Sequence, residues 1–299
     1  VMILRRSHLF SKSLNQPILQ LIQDLNSKLI SSDKHFDLLL GASGAIGPLI
    51  RFTQEFKDPR GIELAIKCGD HLLEQQDQNT HSWINSYNKD NPPLTGLAHG
   101  TGGIALSLIW LAKLTDQEKY LTAAELATIY EFNQYDKLEG NWPDYREPSN
   151  KEHSFMSSWC HGAPGIALTR ALMLQAAPQS NLRDQWNEEL NNAIKHIKQL
   201  EYLSFDHLCC GELGLIGILQ TISSITNDKS LEVYTSERVL KILNRRKING
   251  HWNFLAPREG GVHFPGLFTG ISGIGYQLIR NSSNIETENI LTMCSPLNM

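Results

Sequence analysis

The sequence predicts an all-α protein made of helix hairpins, and three observations carry that prediction. First, Gly-x-x-Gly turns stand at Gly41–Gly44, Gly100–Gly103, Gly162–Gly165, Gly211–Gly214 and Gly270–Gly273, their first glycines 59, 62, 49 and 59 positions apart. Second, the segments after the turns are apolar nearly all round, as helices buried on most sides are. Third, the stretches between them are amphipathic at helical spacing. Hairpins repeating at this period form a solenoid or, if the solenoid curls shut, an α/α barrel with inner helices around a central cavity.

In chain order, Gln16-Pro17-Ile18-Leu19-Gln20-Leu21-Ile22 starts an outer helix ahead of the first turn. Ile62, Ala65, Ile66, Gly69, Leu72 and Leu73 then form one stripe, and Ile104–Ala112 is an inner helix. Residues 119–135 are a further outer helix, Ile166–Leu174 an inner one, and Leu190, Ala193, Ile194, Ile197 and Leu200 a second stripe. Residues 229–247 complete the outer set, giving about five helix pairs. No charge run or Pro/Ser-rich linker divides residues 1–299, so one domain is expected. Glycine at both ends of each turn permits positive φ and close backbone approach where helix starts crowd together. For Gly41 and Gly270, whose neighbours Leu40 and Thr269 offer little chemistry, packing is the expected role.

Composition narrows the partners. A 299-residue chain with 41% hydrophobic residues buries a sizeable core. Its 27 basic and 31 acidic residues, net charge -4, carry no electrostatic footprint for nucleic acid or an anionic membrane. The early apolar run Val1-Met2-Ile3-Leu4 ends at Arg5 and Arg6, too short for a signal-peptide core or a membrane span, so a cytoplasmic protein is expected. Starting at valine, the chain reads as the rear portion of something longer. Five cysteines are too few for a disulfide scaffold and leave Cys160, Cys209 and Cys210 available as metal ligands, whereas Cys68 and Cys294 lack such a setting.

The turns carry the candidate chemistry. Just before the first glycine stand His99, His161 and Cys210 in the second, third and fourth copies, and one place earlier Ala98, Cys160 and Cys209. Equivalent positions in neighbouring repeats lie at equivalent places, so these side chains should crowd one mouth of the cavity. Three sulfur ligands with an open fourth position are the pattern of catalytic zinc. The plain alternatives are that Cys209 and Cys210 are small buried hydrophobes and Cys160 a core thiol beside Trp159. His161 is a fourth possible ligand, ranked below the cysteines. His99 is either reactive or bound to backbone. Asp37, the only carboxylate just ahead of the first turn, is either functional or a cap.

Four stretches together resemble the lanthionine synthetase C-like cyclases, in particular the C-terminal cyclase domain of bifunctional class II lanthipeptide synthetases. They are Gly96–Gly103, Ser158–Ile166, Cys209–Gly214 and Pro265–Tyr276, and the likeness runs from about Asp37 to Arg280. It implies an α/α toroid with central zinc, in which a cysteine thiol of a precursor peptide adds to a dehydrated Ser or Thr to close a thioether ring. By that resemblance Cys160 and Cys209 are zinc ligands, His99 is the active-site histidine and Asp37 the acidic residue. Cys210 stands where most of the family has histidine, as in a subset of synthetases that accept many unlike peptides. Three thiolates leave zinc with a net negative charge and keep electron density on the attacking sulfur. The family toroid has about seven helix pairs, so the chain is expected to lack the first pairs and any dehydratase domain ahead of them. The competing readings are a non-catalytic thiol- or peptide-binding adaptor, an inactive truncated cyclase, and a carbohydrate-active α/α barrel. The last relies on paired carboxylates that the turns do not offer.

Overall fold

The computed structural model describes residues 15–84, 89–146, 154–254, 264–282, 289–293 and 295–296. Cys294 and the apolar start Val1–Leu4 with Arg5 and Arg6 lie outside the described residues. Among the described residues the secondary structure is helical apart from isolated β-bridges. The helices are α1 (Asn15–Asp24), α2 (Ser27–Ser31), α3 (Ala42–Phe56), α4 (Arg60–Gln75), α5 (Thr101–Thr115), α6 (Glu118–Asn133), α7 (Ala163–Ala176), α8 (Arg183–Gln199), α9 (Glu212–Thr226), α10 (Lys229–Asn249) and α11 (Ile271–Ser282). None of them is long and apolar enough to cross a membrane.

Each inner helix pairs with the helix that follows it: α3 with α4, α5 with α6, α7 with α8 and α9 with α10. The reason is local. Lys57, Asp116 and Asn227 end α3, α5 and α9 in the left-handed conformation, each at φ 55°, which reverses the chain within two or three residues. After Asn227, the Asp228 carboxylate accepts from the Ser230 and Leu231 amides and starts α10 at once. The expected first outer helix is instead two short pieces, α1 and α2, with α2 resting on α4.

The inner helices pack in succession, α3 on α5, α5 on α7, α7 on α9 and α9 on α11. Each interior member touches two inner neighbours and its own outer partner, which is why these helices are apolar nearly all round. Every residue from Thr101 to Leu111 of α5 is buried, as is every residue from Ala163 to Met173 of α7. The outer helices bury one face only: Leu64, Ala65, Cys68 and Leu72 on α4, and Leu190, Ala193 and Ile197 on α8. Helix α8 begins seven residues ahead of its expected stripe because Trp186 and Glu189 are buried too.

The turn glycines serve close approach more than positive φ. Gly41, Gly100 and Gly211 are extended at φ -117°, -103° and -119°, and only Gly162 is left-handed, at φ 74°. The second glycine of each motif seats its α-carbon on a carbonyl of the same turn. A Cβ on Gly44, Gly103, Gly214 or Gly273 would stand 2.1, 1.9, 1.8 or 1.8 Å from the oxygen of Leu38, Leu97, Leu208 or Leu267. The five turns are also stitched to one another by main-chain hydrogen bonds. Leu38 N donates to Ala98 O (3.1 Å), Ala98 N to Cys160 O (3.2 Å), Trp159 N to Cys209 O (2.9 Å), and Cys209 N to Phe268 O (2.9 Å). Residues 50 to 62 positions apart in sequence thus sit side by side at one end of the inner helices.

Candidate metal and active site

The stitch places the predicted side chains in one neighbourhood. Cys160 and Cys209 meet with their sulfurs 3.7 Å apart. Two sulfurs sharing a tetrahedral zinc at about 2.3 Å lie about 3.8 Å apart, so this pair already has ligand spacing. Ser158 Oγ lies 3.2 Å from Cys160 Sγ. Cys210 is turned toward His207, with Nε2 3.9 Å from its sulfur. Among the described residues, therefore, no group of three His, Cys, Asp or Glu side chains is closed around a common point.

The thiols share protons unequally. The Cys209 thiol, hydrogen-bonded toward both neighbours, is pushed up, chiefly by Cys160 and then Cys210. Cys160 is lowered to about 7, first by its bond from Cys209, against the cost of burial, with help from Ser158 and Arg146. Cys210 is lowered to about 5, again first by Cys209, then against burial by His207. Cys160 is buried and the other two half-buried. Thiolate donors suit a borderline-soft divalent cation, so the lowered Cys160 and Cys210 fit zinc, while the Cys209 thiol would have to give up its proton on binding. Cys68 differs: burial pushes its thiol up to about 12.

His99 and Asp37, 62 residues apart, are joined by an Nδ1–Oδ2 contact of 2.9 Å. Asp37 is wholly buried and its Oδ1 accepts from the Leu39 and Leu40 amides at 3.0 and 2.7 Å, so the carboxylate is rigidly aimed. The plain alternative, a turn cap, is therefore real for one oxygen, while the other serves His99. A carboxylate on Nδ1 holds the neutral ring's proton there and leaves Nε2 as its unprotonated nitrogen. The His99 side chain is 22% exposed, so the ring is reachable from solvent.

His161 lies against the back of that ring, stacked with centroids 5.7 Å apart. It is buried, its two nitrogens make no hydrogen bond of ordinary geometry, and burial lowers it to about 4, so it is neutral. Sequence reasoning missed Ser158, His207 and Arg146, whose guanidinium pairs with Asp144 and lends positive charge to the thiols. Ser158 and His207 stood within three residues of the cysteines, which was the available signal.

A row of helix hairpins whose turns gather thiols beside a carboxylate–imidazole pair defines a thiol-rich α/α repeat protein with its site at the helix starts. The chain belongs to the lanthionine synthetase C-like protein family, whose model matches residues 2–293. It is 31% identical over 201 residues to a lacticin 481/lactococcin biosynthesis protein of Lactococcus lactis subsp. lactis, covering 62% of this chain and 20% of that one. It thus spans about a fifth of the length of that curated relative. Its fold is similar to that of a solved nisin cyclase, with a TM-score of 0.70 at 21% identity over 99% of this chain and 78% of the other. The α/α toroid expected from the sequence is the fold of that match. A polysaccharide lyase shares the architecture more loosely, with a TM-score of 0.52 at 14% identity, over 84% of this chain and 71% of the lyase.

Proposed function

We propose that this protein is a zinc-dependent lanthionine cyclase that joins a cysteine thiol of a precursor peptide to a dehydroalanine or dehydrobutyrine. One observation carries the reading: in a chain of this family, the Cys160–Cys209 sulfur pair and the Asp37–His99 pair lie on neighbouring, mutually hydrogen-bonded turns. Cys160, Cys209 and Cys210 would hold the metal. When bound, zinc supplies the Lewis-acid charge that keeps a substrate thiol ionised at neutral pH.

The rest is the work of the chain's own residues. The turns bring the peptide's sulfur and the β-carbon of the dehydro residue together, which converts an encounter in solution into a reaction within one complex. The carbon–sulfur bond forms at Cβ as the double-bond pair moves toward the carbonyl, giving an enolate. His99 then delivers a proton from Nε2 to Cα, with Asp37 holding Nδ1 and stabilising the ring while it is charged. The proton lost from the thiol balances the one gained at carbon, so the product is an isomer of the substrate. His161, stacked behind His99, keeps water from that face. A dehydratase activity supplying the substrate, from a segment of the same protein or a separate one, would complete the pathway step.

The test is incubation with a dehydrated peptide carrying one free cysteine, followed by a thiol-alkylating reagent and mass spectrometry. Cyclisation leaves the peptide mass unchanged and abolishes alkylation. Persistent alkylation with zinc-loaded protein would overturn the reading and favour a peptide-binding adaptor. Cys160→Ala and Cys210→Ala are expected to lower zinc content and ring closure together, whereas His99→Asn keeps the zinc and slows ring closure.

A further inference from the structure

Behind the His99 turn lies a charged group that the proposed reaction does not use. Glu131, on the last turn of α6, is wholly buried, and its Oε1 accepts the Gly96 amide at 2.6 Å and the Gly102 amide at 3.2 Å. These two glycines bracket His99. Gly102 is bare for this reason: a Cβ there would stand 2.5 Å from Glu131 Oε2. Gly96, at φ 98°, lies so close to the next turn that a Cβ would be 2.9 Å from Cys160 O and 3.1 Å from the His161 α-carbon.

The other oxygen of Glu131 faces Arg170, at 2.7 Å, and Arg170 in turn forks onto Glu189 of α8 at 3.0 and 2.7 Å. All three side chains are buried, with Arg170 at 0% exposure on α7, the helix that follows the Cys160 turn. A buried ion triad gives little net stability, because desolvation of the charges consumes most of their attraction. What the triad does supply is geometry. It ties the helix behind Cys160 to the loop that presents His99 by a rigid charged strut.

We infer that Glu131 is a positioning residue for His99, fixing the side from which the proton reaches Cα. This rests on the cyclase reading. In that reaction the configuration at Cα is decided by the face on which the proton lands, after the sulfur has already bonded to Cβ. A His99 held by both flanking amides delivers to one face only. A His99 on a slack turn lets water protonate the enolate from either side.

The experiment compares wild type, Glu131→Ala and Glu189→Gln on a peptide with one dehydroalanine and one cysteine. Ring closure is followed by alkylation, and the Cα configuration by chiral chromatography of the hydrolysed product. The Glu189 variant breaks the same ion triad without touching Gly96 or Gly102, and so reports what structural loosening alone does. We expect Glu131→Ala, which removes the acceptor of both amides, to lower kcat about ten- to a hundredfold with KM within about twofold, the scale of a misplaced catalytic group. Its product should be a mixture of epimers, while Glu189→Gln stays stereochemically pure whatever its stability. If Glu131→Ala does not fold, Gly102→Ala takes its place, since its methyl pushes the carboxylate off the same amides and leaves Glu189 with Arg170. A pure single epimer from the Glu131 or Gly102 variant, or equal scrambling by Glu189→Gln, overturns the inference and leaves the cyclase reading standing. Wild-type protein that closes no ring overturns both.

Discussion

The seat of Gly103 on the Leu97 carbonyl gives a substitution whose cost follows from one distance. In Gly103→Ala the new Cβ would lie 1.9 Å from that oxygen, 1.5 Å short of the 3.4 Å at which ordinary contact begins. The obstacle is backbone, so no side-chain rotation relieves it. Overpacking of this kind costs about 3 kcal/mol, and alanine's helix propensity returns at most about 1 kcal/mol, leaving a loss of about 2 kcal/mol or more. Leu97 leads directly into Ala98 and His99, so the displacement also moves the donor to Cys160 O and the ring held by Asp37 at 2.9 Å. Urea denaturation of the variant beside Gly275→Ala is the assay. Gly275 sits within α11, and among the described residues a Cβ there meets nothing within 4 Å. Gly275→Ala should therefore gain up to about 1 kcal/mol. A Gly103 variant within about 0.5 kcal/mol of wild type would refute the argument that these turns are closed by α-carbon-on-carbonyl contact.

Two further predictions follow from titrating groups. Burial lowers the His196 pKa, so the folded protein binds fewer protons than the unfolded chain once pH falls below the unfolded histidine value of about 6.5. Its contribution to stability is complete above that value and is lost as pH drops toward the lowered folded pKa. The stability difference between wild type and His196→Gln, measured by urea melts from pH 8 to pH 5, should shrink or reverse toward acid; a constant difference contradicts the shift. In metal-free native protein at pH 7, iodoacetamide should label Cys210 first and leave Cys68 untouched, as peptide mapping would show. Labelling of Cys68 at a comparable rate would mean that its surroundings are not as closed as described.

The hairpin architecture was legible because its signals are redundant. Five glycine turns, inner segments apolar on every side and outer segments with one stripe all point to the same fold, and helix boundaries landed within a few residues except at α8. That exception is instructive: Trp186 and Glu189 extend the buried face, but a glutamate in a stripe reads as surface until Arg170 is seen opposite it. Arg170 itself was a charge within the apolar run Ile166–Leu174, a signal that pattern reasoning passed over. The meeting of the side chains was legible by position, since Cys160, Cys209 and His99 stand next to their turn glycines in neighbouring repeats, whereas Asp37, four residues ahead of Gly41, stood out only as the carboxylate before the first turn. Their pairing was not. That His99 bonds Asp37, or that Cys210 faces His207, depends on rotamers and on the offset of neighbouring turns, neither of which sequence spacing encodes. Of the two uses expected for the turn glycines, positive φ and close approach, the second prevails, because the absence of a Cβ serves both purposes and sequence cannot distinguish them.

The main-chain stitch between turns has a consequence for how such a site changes over time. Its bonds run through backbone atoms at and before the residue two places ahead of each turn glycine, namely Leu38, Ala98, Trp159, Cys160, Cys209 and Phe268. The position directly before the glycine, held by Leu40, His99, His161, Cys210 and Thr269, takes no part in that stitching. These five side chains are pegs on a board whose holes are drilled by the backbone. A leucine, an imidazole, a thiol or a hydroxyl stands in one or another of them on the same backbone pattern, so the chemistry presented there is free to drift while the scaffold persists.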